Sequence, residues 1–400
     1  MHPKKGMSRR EFFKLAGTAA AGSVLAPLEA ETRLTAQESS MPTRPFGNTG
    51  IDVPILSLGG SQHLPLLLLR AAFLRGVTYW DVANSYMGGN SEKSIGKYIE
   101  KYPQDRKKIF LVTKSHAWST AGMTDDLNDS LERMQTDTVD LFFVHAVSGI
   151  DELNDETKAW AEKARAAGKI RLFGFSTHSN MAECLLEASR LGWIDGIMMT
   201  YNFRLMHTDR MRRAVDACTK AGIGLTAMKT QGGGSIRTRT DSELKMGARF
   251  LQEGYSEAQA KLKAVWDNPQ IASICSEMPN TTILMANVAA AMNRTRISDR
   301  GSTLLNRYAS ETGSDYCAGC ARICETATDG RVPISDIMRC LMYWRSYGDR
   351  ERAAKRFQEI PPGTLGQIAR CDYTAAEYKC PQQMAIGKLM QQALKEFTKV

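Results

Sequence analysis

The sequence predicts a parallel (β/α)8 barrel followed by a helical extension, and three observations carry that prediction. Between residues 54 and 298, apolar strand-like runs alternate with amphipathic helix-like runs eight times. Three of the strand-like runs bring a titratable residue out at their last positions: Asp81 with Tyr86 just beyond it, Lys114, and His145. The carboxyl ends of the strands are where such barrels place their chemistry. Beyond residue 300 no further strand pattern appears, helical patterns continue, and cysteines become frequent.

The strands are expected at 54–58, 78–82, 109–113, 139–144, 171–175, 195–200, 223–228 and 271–275, with helices between them at 91–101, 123–134, 151–167, 179–191, 208–221 and 256–267. A doubly wound sheet would call for Gly-x-Gly-x-x-Gly after an early strand, and none stands there. Asn90 is an N-cap candidate for the helical stretch at 91–101, and Gly168 closes the helix ending in Ala166-Ala167. Gly232-Gly233-Gly234 falls in a long segment expected to lie as a loop over the barrel mouth.

Length and composition agree with one large α/β domain plus an appendage. The chain has 400 residues, 43% of them hydrophobic. The domains are expected at 1–36 (signal and linker), 44–298 (barrel) and 299–400 (extension). Net charge is +9, but residues 1–30 hold five Lys/Arg against two Glu, leaving +6 for the rest. Without a dense basic stripe interleaved with aromatics, that balance argues against a nucleic-acid partner.

Ser8-Arg9-Arg10-Glu11-Phe12-Phe13-Lys14 is a twin-arginine pattern, followed by a mildly apolar run from Leu15 to Ala26. It is too short to persist as a membrane-spanning helix, which takes about 20 apolar residues. It is expected to address the chain to the twin-arginine export machinery, giving a periplasmic or otherwise extracytoplasmic protein without stable membrane insertion after export.

The residues at the strand ends form a chemically coherent set. Tyrosine, with a pKa near 10, is a poor acid at neutral pH unless a cation lowers that value, and Lys114 can supply the cation. Asp81 can hold the lysine charged in a partly buried site, and an imidazole from His145 can orient a carbonyl oxygen. Singly, each residue has a structural explanation as a turn or packing residue. Together at successive strand ends, spaced by five, twenty-eight and thirty-one residues, they suit the reduction of an aldehyde or ketone.

These segments resemble the aldo/keto reductase family: Trp80-Asp81 through Tyr86, Gly89-Asn90-Ser91-Glu92, Val112-Thr113-Lys114, Asp140 through His145, Gly174-Phe175-Ser176 and Tyr201-Asn202. The resemblance covers about residues 44–295. It implies Tyr86 as the acid, Lys114 and Asp81 tuning it, His145 orienting the carbonyl, and NADPH or NADH across the barrel mouth. By the same resemblance Ser176 and Thr177 would hold the carboxamide, Tyr201 would stack on the nicotinamide, Met228-Lys229 would pass the pyrophosphate, and Asn287 would contact the adenine. Two positions depart from the family pattern. Met198 stands where a glutamine is common, and the 276–282 loop has no arginine or lysine for an adenosine 2′-phosphate, which leaves NAD and NADP both open.

Cys317-Ala318-Gly319-Cys320-Ala321-Arg322-Ile323-Cys324, with Cys380-Pro381 far downstream, has the look of cluster ligation: one loop gives three thiolates and a distant Cys-Pro the fourth. Four cysteines suit zinc as well, and disulfides are open to an exported protein. Cys371 competes with Cys380 for the fourth place. Cys184, Cys218, Cys275 and Cys340 are expected to pack as small apolar residues. The tail, including Val332 through Arg339, resembles that of aldo/keto reductases with a C-terminal [4Fe-4S] domain. The sequence therefore points to an exported oxidoreductase acting on a small carbonyl or sugar-like substrate, with a [4Fe-4S] cluster for stability or for electron transfer with a redox partner. The alternative is a non-enzymatic barrel that binds a ligand or partner, with a structural metal site.

Overall fold

A short antiparallel hairpin, β1 (Thr43–Pro45) and β2 (Asp52–Pro54), opens the computed structural model, which describes residues 40–233, 240–293 and 295–398. Eight parallel strands follow: β3 (Leu56–Gly59), β4 (Tyr79–Asp81), β5 (Phe110–Ser115), β6 (Val139–Val144), β7 (Ile170–Thr177), β8 (Gly196–Thr200), β9 (Gly224–Met228) and β10 (Ser273–Glu277). Each pairs with the next, and β10 pairs back onto β3 to close the barrel. Each strand lies within two residues of its expected place. The expected twin-arginine segment lies outside the described residues.

The hairpin supplies what the strand pattern did not show, a floor for the barrel. Phe46, fully buried, lies beneath Gly196 and Gly224 at the starts of β8 and β9. A Cβ on either glycine would come within 2.7 Å of the Phe46 ring, so both positions are small because the ring is there. Above it the interior is filled by Tyr79, Phe110, Val112, Leu141, Phe143, Met198 and Met228. A packed interior leaves the barrel's site to the strand ends.

Local chemistry moves some helix starts. Asn154 accepts from the Thr157 amide, so that helix begins at Asp155 rather than 151. Asn90 does not cap: Gly89, at φ 85°, holds the N-cap position and Asn90 is the first helical residue, donating from Nδ2 to Met87 O at 2.9 Å. The segment after β9, expected as a loop, contains the helix Asp241–Gln252, begun by a reciprocal Thr240–Glu243 capping box.

The helix Asp299–Glu311 packs with the barrel side, Leu305 and Tyr308 joining Phe203, Met246 and Phe250. A separate core, with Ile337, Leu341, Phe357, Ile368, Met390 and Phe397, starts only at Cys324. The extension's helices, chief among them Ile334–Tyr347, Arg350–Gln358 and Ile386–Phe397, thus have their own interior. The cysteine loop is clipped to the turn after β7: the Asn180 amide donates to Gly319 O at 2.7 Å, and the Arg322 amide to Asn180 Oδ1 at 2.9 Å. Gly319 sits at φ 74°, and a Cβ there would lie 2.6 Å from His178 O, so glycine is required twice over. Among the described residues no helix is long and apolar enough to cross a membrane.

Candidate active site

β4, β5 and β6 run side by side, so their ends carry Asp81, Lys114 and His145 to one edge of the mouth. Lys114 Nζ lies 2.6 Å from Asp81 Oδ1 and 2.7 Å from Oδ2, and donates to Val82 O at 2.7 Å. Both side chains are buried, at 1% and 3% exposure. Tyr86 stands on the turn after β4, its ring centre 4.9 Å from Lys114 Nζ and 5.6 Å, edge-on, from the His145 ring. The four sequence candidates are therefore together.

Their electrostatics differ from expectation in one respect. Lys114 was expected to lower the Tyr86 pKa, but the phenol is pushed well above its ordinary value, first by desolvation among buried neighbours and then by the Asp81 carboxylate. The ammonium is neutralised by Asp81 at hydrogen-bond distance and does not offset these effects. Burial likewise raises Asp81 against the opposing pull of Lys114. His145 is held well below its usual pKa, by burial first and then by His116 and Lys114, so its imidazole is neutral. Its Nδ1 is buried without a protein partner.

Several residues of this site escaped the sequence. His116 stacks on His145 at 3.9 Å and is pushed down to about 4, chiefly by burial and then by Arg356. The signal was available: His116 is two residues past Lys114, on the same side of an extended chain. Cys275, expected as mere packing, places Sγ 3.7 Å from Asp81 Oδ2. Tyr343, from the extension, accepts from Lys229 Nζ at 2.9 Å. Burial pushes the Tyr343 phenol up, but Lys229 and Arg339 outweigh it and hold it below its ordinary value. Arg352 forks onto Glu277 at 2.8 and 3.3 Å, bringing a guanidinium to the very loop that lacks one in sequence.

The expected cofactor positions are distributed less evenly. Ser176, on β7, accepts from the Ala146 amide at 3.1 Å, and Thr177 Oγ1 donates to Ser179 O at 2.7 Å. Met228 and Lys229 lie at the end of β9, and Asn287 Nδ2 donates to Ser276 Oγ at 3.1 Å. Tyr201 is a correction: its ring is 2% exposed and its hydroxyl accepts from Asn268 Nδ2 at 2.9 Å, on the side of the barrel facing the 267–270 loop. It cannot stack on a ring at the mouth, because its ring packs among the residues between barrel and helices.

Cys317, Cys320, Cys324 and Cys380 line one cavity, with Ile323, Ile334, Met338, Pro381, Met384 and Ile386 as its apolar wall; Cys371 is not in that lining. All nine thiols are free of disulfides. Among the described residues no three thiol, imidazole or carboxylate groups converge to hold a single metal ion. Cys184, Cys218 and Cys340 are buried in apolar surroundings.

Residues 62–290 match the sequence profile of the aldo/keto reductase family, and the chain belongs to that family. It is similar to an aldo-keto reductase of Fusarium vanettenii, 27% identical over 252 residues that make up 50% of this chain and 66% of the relative. It is also similar to methylglyoxal reductase YeaE of Escherichia coli, 36% identical over 110 residues, 27% of this chain and 37% of that one. The chain thus spans about two-thirds or less of the length of these curated relatives. Among solved structures it shares its fold with aldo-keto reductase AKR11C1 of Bacillus halodurans, TM-score 0.55 at 21% identity, covering 67% of this chain and 96% of that one. The fold is likewise that of a Klebsiella pneumoniae aldo/keto reductase in complex with NADP and acetate, TM-score 0.55 at 24% identity, covering 66% and 94%.

Proposed function

We propose that the chain is an exported oxidoreductase that interconverts a carbonyl and an alcohol by hydride transfer with NADPH or NADH. The observation that carries this reading is the buried Asp81–Lys114 pair set directly behind Tyr86 and His145. Ser176, Met228 and Lys229, at the ends of β7 and β9, would hold a nicotinamide, which would supply the hydride. The neutral His145 donates a hydrogen bond to the carbonyl oxygen and orients it. Tyr86, kept protonated by its surroundings, gives its proton to the oxygen as it becomes alkoxide. An alkoxide is about as basic as hydroxide, so even a phenol of raised pKa transfers its proton downhill. Lys114, paired with Asp81, then faces the phenolate left behind.

The thiol-lined cavity fits a [4Fe-4S] cluster. Its four cysteines share the lining of one cavity, and its remaining walls are mainly apolar, as a solvent-shielded cluster would require. Cys317, Cys320, Cys324 and Cys380 would ligate it, and it would supply one-electron chemistry to a redox partner or rigidity to the extension. The twin-arginine pattern supports loading before export, since that route carries folded proteins. A sugar-like substrate is in keeping with export.

A non-enzymatic reading draws on one observation: the polar groups of Ser176, Thr177, Lys229 and Asn287 are already engaged within the protein. Two measurements separate the readings. Protein prepared without oxygen is assayed for released nucleotide and for NADPH and NADH binding; dissociation constants no tighter than millimolar would sink the hydride-transfer reading. Tyr86→Phe is expected to lower carbonyl turnover by about 10²–10⁴, and unchanged turnover would remove the assigned acid.

A further inference from the structure

A carbonyl reduction at this mouth leaves a proton to be supplied, and an alcohol oxidation leaves one to be removed. Tyr86 is kept protonated by its surroundings, so it takes up an alcohol's proton only after passing on its own. The strongest fields on its phenol come from Asp81, Cys275, Tyr343 and Glu277, and two stacked histidines stand beside it. Most of these groups are poor proton acceptors. Asp81 is paired with Lys114, and the Arg352 fork outweighs burial and holds the Glu277 carboxyl below its usual value. Burial keeps the Cys275 thiol protonated. His116 is pushed down to about 4 and His145 well below its usual value, so neither holds a proton near neutral pH. Tyr343 remains.

Tyr343 belongs to the extension, on the helix Ile334–Tyr347, and is 7% exposed. Its oxygen accepts from Lys229 Nζ at 2.9 Å, and the same Nζ lies 4.6 Å from the ring centre. Arg352, from the next helix, stands 5.4 Å from that centre. Among the described residues Lys229 has no carboxylate at ion-pair distance, and the phenol is its partner. Lys229 sits at φ 54°, in the left-handed region that few side chains adopt, so the chain just past β9 holds an unfavourable shape that aims the ammonium at Tyr343. With Arg339 on the phenol's own helix, these cations outweigh burial and hold it below its ordinary value, whereas Tyr347, its ring centre 6.1 Å away, is pushed up by burial. The lysine that eases a phenol's ionisation, expected at Lys114 and Tyr86, stands here instead. Arg356 lies in the fields of both Tyr343 and Tyr86, and a charge on Tyr343 holds the proton on Tyr86. The two phenols therefore share one negative charge rather than ionise together.

We propose that Tyr343, held by Lys229, is the group that exchanges protons with Tyr86, so that the extension completes the reaction site of the barrel. When an alcohol is oxidised, its carbon gives up hydride to an oxidised nicotinamide and its O–H bond breaks. That proton goes to Tyr86, whose own proton passes through water at the mouth to the Tyr343 phenolate. Reduction runs each transfer backwards. Tyr343 does not touch the substrate; it acts through Tyr86. The relay rests on the carbonyl-reduction reading, whereas the pairing of Tyr343 with Lys229 does not.

The test has two readouts on the full chain prepared without oxygen. Ultraviolet difference titration, which follows ionised tyrosine, should show one phenolate forming below the pH at which the other tyrosines ionise. That step should vanish in Tyr343→Phe, move to higher pH in Lys229→Gln, and persist in Tyr378→Phe, a residue that is 91% exposed. Oxidation of sorbitol, glucose and benzyl alcohol with NAD⁺ or NADP⁺ is then followed against pH. In Tyr343→Phe, kcat should fall by about tenfold or more at the pH where Tyr343 is ionised, with KM unchanged, and the rise of kcat with pH should move upward. No early phenolate, or one that survives in Tyr343→Phe, would refute the pair; an unchanged pH profile in that variant would refute the relay. Wild type that shows the early phenolate but turns over neither alcohol nor carbonyl would overturn the hydride-transfer reading and the relay with it, leaving the pair standing.

Discussion

Lys114→Met is expected to damage the protein more than a surface charge change could, and in a way that acid partly repairs. The ammonium is 1% exposed and lies 2.6 and 2.7 Å from the two oxygens of a carboxylate that is itself 3% exposed. Removing one member of such a pair leaves the other charge buried and alone, at a cost of about 3–5 kcal/mol. Asp81 can avoid that cost by taking up a proton. Burial already raises its pKa against the opposing pull of Lys114, and without Lys114 it rises further. The folded variant then binds a proton that the unfolded chain, at the usual aspartate value near 4, does not. Its stability should therefore increase as pH falls from 7 towards 5. The assay is urea unfolding followed by tryptophan fluorescence, for Lys114→Met, Asp81→Asn and the double variant. The double variant should lose much less than the sum of the singles, because neither charge is left unpaired. Additive losses, or a single-variant loss under about 1 kcal/mol, would mean that the pair does not behave as a buried ion pair.

Three further outcomes follow from the geometry. Gly319→Ala should loosen the extension, since φ 74° costs an alanine about 1–2 kcal/mol and its Cβ would meet His178 O at 2.6 Å; limited proteolysis should cut the variant after residue 311 faster than wild type, and equal rates would refute the clip. Cys380→Ser should lower iron content and alter the paramagnetic resonance spectrum of anaerobically prepared protein, whereas Cys371→Ser should leave both unchanged; the reverse result would reassign the fourth ligand. Folded His116 titrates at about 4 against 6.5 for the free side chain, so between those values the unfolded chain holds more protons and stability falls as pH drops through that window. That decline should be shallower in His116→Gln, and an identical slope would show that His116 is not buried as described.

The barrel was legible because its information is local. Each strand is a short apolar run whose period and flanking turn residues fix its place, and β6 could be delimited to the residue. The tetrad was legible for the same reason, since parallel neighbours with matched register must bring their last residues together. What could not be read depends on contacts distant in the chain. Nothing in Phe46-Gly47-Asn48 announces that its phenylalanine closes a barrel floor some 150 residues away. Tyr201 looked like a mouth residue because it follows β8 directly, yet the polypeptide turns its ring outward to Asn268. The fall in Tyr86 pKa expected from Lys114 does not occur because burial of the phenol first, and then the field of Asp81 five residues before it, push the other way.

The extension also changes what the barrel can be. Considered alone, the mouth has a loop at 276–282 without a cation and a lysine at 229 without a partner, and it would pass for a weak dinucleotide groove. With the extension docked, Arg352 stands against Glu277 and Tyr343 against Lys229, at the ends of the neighbouring strands β10 and β9. Both contacts are hydrogen-bonded and reach the barrel from helices whose core is their own, so the extension lines the mouth while keeping its own interior.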